Sequence, residues 1–161
     1  MSDSEVRLIT LTMYRQNAEA IDLAKKILEL NKSHPSAHER LGTLYVRVGQ
    51  YREAIAAYQE AIKLGKDNAG TQMLLAEAYA HMGERDKARE ILERYQSENL
   101  SPVTLAMVYV ALGERDQTFA ELEKAYAAHD QTLIWLRGEW EFDVLHDDPR
   151  FQDLARRIGL M

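Results

Sequence analysis

Cysteine is absent from the 161 residues, proline occurs three times and glycine eight times. The first absence removes disulfides, thiolate metal sites and a cysteine nucleophile together. The scarcity of proline and glycine removes the two residues that most often interrupt helices. No apolar run approaches the ~18 residues that a membrane span needs. The opening stretch MSDSEVRLIT has neither the basic region nor the apolar region of a signal peptide. The cytoplasm is therefore the expected location, and a membrane is not an expected partner. Positive charge is also short: 20 Lys and Arg stand against 26 Asp and Glu, a net charge of −6. Nucleic-acid binding needs a clustered basic face, so nucleic acid is not an expected partner either.

What is present favours helix. Hydrophobic residues make up 46% of the chain, enough to fold, and Ala, Leu, Glu, Arg and Lys are plentiful. The six residues GERDKA (83–88) return as GERDQT (113–118), with GQYREA (49–54) as a third version. The glycines Gly49, Gly83 and Gly113 stand 34 and 30 residues apart. Leu41, Leu75 and Leu105 lie eight residues before them, each followed by a small residue (Gly42, Ala76, Ala106). Tyr45, Tyr79 and Tyr109 lie four before. Ala54, Ala88 and Thr118 lie five after, Tyr58, Leu92 and Leu122 nine after, and Ala61, Tyr95 and Ala125 twelve after. Steps of three and four are helical. Each unit is thus an amphipathic helix, a glycine turn and a second amphipathic helix. Glycine suits a left-handed residue just past a helix. The acids that follow it suit the positive end of the next helix dipole.

The segment LGTLYVRVGQYREAIAAYQEAIKL (41–64) resembles the tetratricopeptide repeat, in which Leu-Gly, Tyr, Gly, Ala, an aromatic residue and Ala recur over about 34 residues. The likeness is weaker at 69–95 and 101–126. An earlier copy is implied by Ala20, Ala24 and Ile27, 34 residues before Ala54, Tyr58 and Ala61. Its first helix carries Leu8, Leu11 and Tyr14 but lacks the turn glycine. The resemblance implies an all-α fold: a right-handed superhelical solenoid in a single domain. Its four repeats are expected at about 4–34, 35–68, 69–98 and 101–128, with a C-terminal cap over 129–161. Lys66 stands where the family often has a closing proline. The interval from third to fourth repeat is four residues short, which predicts a shortened second helix in the third repeat. Ser101-Pro102 and Asp148-Pro149 read as N-caps followed by a first-turn proline.

After Ala128 the period stops. FDVLHDDPRFQDLARRIGL (142–160) resembles a closing segment of bacterial tetratricopeptide proteins. A terminal repeat needs its apolar face covered. This segment is expected to cover it, with Phe151, Leu154, Ala155 and Ile158 facing inward. Trp135 and Trp140 are expected in that core rather than in a ligand cage.

Reactive constellations are missing. There is no Gly-rich phosphate loop, no Gly-x-Ser-x-Gly elbow and no His-Glu-x-x-His helix, so neither an enzyme nor a cofactor is expected. His34 and His38 have the i, i+4 spacing of metal ligands. Pro35 opens a helix between them, which leaves His34 in the cap with no third ligand beyond Glu39, so no metal is expected. His146 reads as a loop histidine before a cap.

In the tetratricopeptide family the first helices of the repeats line a concave groove. The repeat register then assigns Glu39, Thr43, Val46 and Arg47 to the groove in the second repeat. It assigns Met73, Glu77, Ala80 and His81 in the third, and Val103, Met107, Val110 and Ala111 in the fourth. The groove passes from charged to apolar, and an apolar groove of this size is not expected to stay bare. A peptide or helix of another protein, a second copy of the chain, or the C-terminal segment could cover it. The alternative that Met73 and Met107 are core residues stays open. The expected function is a non-catalytic protein-interaction scaffold whose partner is another protein or peptide. The alternative is a structural or homo-oligomerisation module, or the regulatory tail of a larger bacterial regulator, with its groove self-occupied.

Overall fold

Helix follows helix because each turn carries its own stop and start signals. The computed structural model describes residues 3–13, 16–136 and 138–160. Among them the chain is all-helical and forms a solenoid. The helix pairs are α1 (Asp3–Met13) with α2 (Asn17–Leu30), α3 (Pro35–Arg47) with α4 (Tyr51–Lys63), α5 (Ala69–His81) with α6 (Arg85–Tyr95), and α7 (Pro102–Ala111) with α8 (Arg115–Ala127). Two 3₁₀ helices, Gln131–Trp135 and Trp140–Leu145, lead to α9 (Pro149–Arg157). Tyr14 lies outside the described residues. No helix among the described residues is long and apolar enough to cross a membrane.

The repeated glycine turn closes each first helix in the same way. Gly83 has φ +88°. Its N–H donates to the Ala80 carbonyl at 3.0 Å, and the Glu84 N–H donates to the Tyr79 carbonyl at 2.9 Å. This double cap satisfies carbonyls that the helix end leaves over. Gly49 and Gly113 repeat it with carbonyls of Val46 and Tyr45, and of Val110 and Tyr109. Glu84 and Glu114 are the N-cap residues of α6 and α8, and Asp86 and Asp116 fall in their first turns. Where the period stops after α8, His129 takes the left-handed position with φ +53°.

Side-chain caps start α3, α5, α7 and α9. Ser101 Oγ accepts from the Val103 N–H at 3.2 Å and donates to Asp130 Oδ2 at 2.6 Å. Asp148 Oδ1 accepts from the Arg150 N–H at 3.0 Å. His34 Nδ1 accepts from the Ala37 N–H at 3.3 Å, so this histidine is a cap. Asn68 Oδ1 accepts from the Thr71 N–H at 3.0 Å at the start of α5. Asn68→Ala is expected to cost about 1 kcal/mol, read as a lower urea midpoint at unchanged slope. Asn68→Asp, which keeps the acceptor, should leave the midpoint nearly in place.

The third repeat has the expected short second helix: α6 has 11 residues against 13 in both α4 and α8. The third and fourth repeats meet chiefly through their first helices. Met73, Ala76 and Ala80 of α5, Ala88 and Leu92 of α6, and Val108 with Leu112 at the end of α7 share one apolar cluster. The last repeat is capped. Leu133, Leu136, Phe142, Leu145, Phe151 and Leu154 pack on buried residues of α7 and α8. Ion pairs flank the cap outside, among them Arg157 with Glu123, Arg150 with Asp116 and Arg115 with Asp148.

Candidate protein-interaction groove

The face made by α3, α5 and α7 begins with a polar bridge between repeats. Glu39 Oε2 accepts from Thr71 Oγ1 at 2.6 Å, and Glu39 Oε1 pairs with Lys66 Nζ at 3.0 Å. Lys66 also donates to Ser36 Oγ at 3.2 Å. The residue that replaces the family's closing proline therefore ties the α4–α5 turn to α3. Thr43 Oγ1 accepts from the Tyr58 hydroxyl at 3.2 Å and donates to the Glu39 carbonyl at 3.3 Å. Burial pushes the Tyr58 hydroxyl well above its ordinary range, and the nearby Glu77 pushes the same way. The phenol thus stays a neutral donor.

Of the apolar positions assigned to the groove, Val46, Met73, Ala80, Val103 and Val110 lie inside the molecule, and Met107 and Ala111 are partly exposed. Val46 packs with Ala54, Ile55, Tyr58, Leu75 and Ala78. Met73 is 1% exposed and sits at the α5–α6–α7 junction. Val103 and Val110 belong to the capped cluster of the last repeat, with Met107 half-buried against it. Glu77 is buried as well. Glu39, Thr43, Arg47, His81 and Met107 keep partial exposure.

The chain's own C-terminal segment crosses this face. Glu139 Oε2 lies 3.9 Å from Arg47 Nη2 on α3. The Trp140 ring packs against the Val46–Leu75 cluster and lies 5.4 Å from the His81 ring on α5, tilted by 30°. His81 in turn stacks on Tyr51 at 5.2 Å. Phe142 and Leu145 are buried against α7. A 3₁₀ helix has three residues per turn. Phe142 and Leu145 therefore share one side, and Trp140 points elsewhere, toward α3 and α5. This separates Trp140 from the terminal core in which the sequence reading had put it. The Trp135 side chain lies outside the described residues.

Glu141 is the electrostatic exception. It is buried beside Glu77, whose side chain is 6% exposed. Neither Glu77 Oε1 nor Glu141 Oε2 has a hydrogen-bond partner among the described residues. Burial first, and then the Glu77 charge, push the Glu141 carboxyl up to about 8 from 4.5. His81 Nε2 stands 3.6 Å from Glu77 Oε1. The described residues contain no group of three or more His, Asp or Glu side chains placed to hold a metal ion.

Glu139, Trp140 and Glu141 are the site residues that sequence reasoning missed. The available signal was GEWEF (138–142) itself. Two acids flanking a tryptophan, with no helical period, fit poorly in a purely apolar cap.

A helical-repeat solenoid with an extended face along its first helices is thus defined by the geometry. A family model described as tetratricopeptide repeat matches residues 45–102. The crystal structure of MamA shares the fold with a TM-score of 0.56 at 20% identity, covering 98% of this chain and 90% of that one. YrrB, described as a TPR protein with an unusual peptide-binding site, aligns with a TM-score of 0.52 at 15% identity, covering 93% of this chain and 80% of its own. Part of protein O-mannosyl-transferase TMTC1 of Homo sapiens is 29% identical over 89 residues, which is 53% of this chain. The chain spans about 10% of that relative's length. Residues 45–102 thus match the tetratricopeptide-repeat family, within a helical solenoid that the described chain continues on both sides.

Proposed function

We propose that the chain is a non-catalytic protein-interaction scaffold that takes a peptide or helix of another protein along the face of α3, α5 and α7. Glu39, Thr43, Arg47, His81 and Met107 would meet the partner. Val46, Met73, Glu77, Val103 and Val110 would support them from behind. The observation that carries the reading is the segment 139–145, which lies on that face with aromatic, acidic and apolar side chains each in contact. A face that seats one irregular segment has the chemistry to seat another. The peptide-binding site named for YrrB supports the same reading by analogy of fold. A chain without cysteine is suited to the reducing cytoplasm, the proposed compartment.

The test uses a fluorescent peptide with the sequence of residues 136–147, LRGEWEFDVLHD, and the full chain. Fluorescence anisotropy should detect binding about tenfold tighter to Trp140→Ala than to wild type, because the wild-type seat is filled in most molecules. Adding Arg47→Glu should remove that gain. A still-helical Trp140→Ala chain that binds no peptide would sink the reading.

The same seated segment favours a second reading, a structural or oligomerisation module in which one copy's segment lies in another's groove. Light scattering over a concentration range decides this. A dimer that disappears in Trp140→Ala supports exchange, and a monomer at every concentration removes it.

A further inference from the structure

The segment is seated with one pair of groups poorly matched. Glu139 faces Arg47, as an acid should. Glu141, two residues on, is buried beside a second buried acid, and both keep an oxygen without a hydrogen-bond partner among the described residues. The groups around Glu141 can be named element by element. From α3 comes Arg47, and from α5 come Glu77 and His81. From α4 come Tyr51, stacked on His81, and the buried Tyr58, which senses both acids. The segment itself adds Glu139. The helix α7, on which the segment also packs, contains no Asp, Glu, Lys, Arg or His. Among the described residues, Arg47 is the permanent cation of this set, and Glu139 already shares its charge. Two ionised acids in this setting repel and are desolvated together. A neutral Glu141 avoids the repulsion and gains an O–H donor.

We propose that residues 139–141 are a proton-controlled latch: they close over the α3 and α5 part of the face when Glu141 is a neutral acid and are released when Glu141 ionises, while Phe142 and Leu145 stay in the terminal core. This rests on the reading of that face as a binding surface, whose access the latch would govern.

The sign follows from linkage. Closed, Glu141 holds its proton up to about pH 8. Released into water, it returns to about 4.5. The closed state is therefore fully favoured below about pH 4.5, and loses that advantage progressively as pH rises toward 8. Above 8 both states are ionised and the dependence flattens. Within the window each pH unit shifts the opening equilibrium about tenfold.

Hydrogen exchange by mass spectrometry on the full chain reads this without a partner. Protection factors within 139–142, where the Phe142 N–H donates to the Glu139 carbonyl, are compared with those of α3–α4 between pH 5 and 9. In wild type the protection within 139–142 should fall about tenfold per pH unit to near pH 8 and then level, while α3–α4 stays constant. Glu141→Gln, a neutral isostere, should keep the segment protected at every pH. Glu77→Gln should move the levelling point to lower pH. The proposal is overturned if wild type shows no such dependence, if Glu141→Gln retains it, or if it vanishes in His81→Gln but survives in Glu141→Gln. The last result would assign the switch to the histidine. A pH-independent latch in a chain that binds the 136–147 peptide overturns this inference alone. A pH-dependent latch in a chain that binds no peptide overturns the binding reading alone.

Discussion

Phe142→Ala is expected to destabilise the protein by about 3–5 kcal/mol, the usual cost of emptying an aromatic site in a packed core. Phe142 is 0% exposed and stands among Val103, Ala106, Val110, Phe119, Leu133, Leu136 and Leu154. These residues come from α7, α8, the first 3₁₀ helix and α9, so the ring joins four elements. Short 3₁₀ turns carry little stability of their own, so the segment depends on the buried ring to hold it against α7. A repeat array is held by contacts between neighbours, and the loss should therefore begin at one end. Far-UV circular dichroism in urea should show an early step from the last repeat and the cap. Hydrogen exchange should lose protection in 102–160 while α3 and α4 keep theirs. A loss below about 1 kcal/mol, or a uniform loss along the chain, would mean that Phe142 does not hold the cap.

The parts legible in the sequence are those fixed by local geometry. Gly49, Gly83 and Gly113 announce left-handed positions that L side chains rarely adopt. Ser101 and Asp148 announce caps because a short polar side chain two residues before a free N–H has few other uses there. The helical period then gives the inward residues, and Ala54, Ala88 and Leu122 are buried. The site was legible only by register. Period and hydropathy identify Met73 as apolar and on the first helix. They do not distinguish a side chain facing α7 from one facing the groove, and the structure turns it to α7. Trp140 and Glu141 were illegible for another reason. Their contacts with His81, Arg47 and Glu77 reach across the chain from a segment with no period. Lys66 is intermediate. Its departure from the repeat pattern is visible in the sequence, but its pairing with Glu39 is a tertiary fact.

Gly42→Ala should also destabilise, although alanine is the better helix former. An interior helical glycine replaced by alanine gains about 0.5–1 kcal/mol from backbone entropy and propensity. At Gly42 the new methyl group would lie 2.6 Å from Tyr58 Cε1, 2.7 Å from Cδ1 and 2.9 Å from Cζ. Real Cβ atoms do not approach a ring so closely, so Tyr58 has to move. It cannot move freely: the ring is 1% exposed and its hydroxyl donates to Thr43 at 3.2 Å. Moving it opens that hydrogen bond and presses on Ile55, Leu75 and Ala78 in the same cluster. Overpacking of this kind costs about 1–3 kcal/mol, which outweighs the propensity gain. The net expectation is a loss of about 1–2 kcal/mol, measured by urea denaturation. The sign depends on the ring, and the ring can be removed. In a Tyr58→Leu background the methyl group has space, so Gly42→Ala should become neutral or stabilising, with a coupling of about 1–3 kcal/mol in the double-mutant cycle. If Gly42→Ala destabilises equally with and without the ring, the close approach of α3 and α4 is not what excludes a side chain at this position.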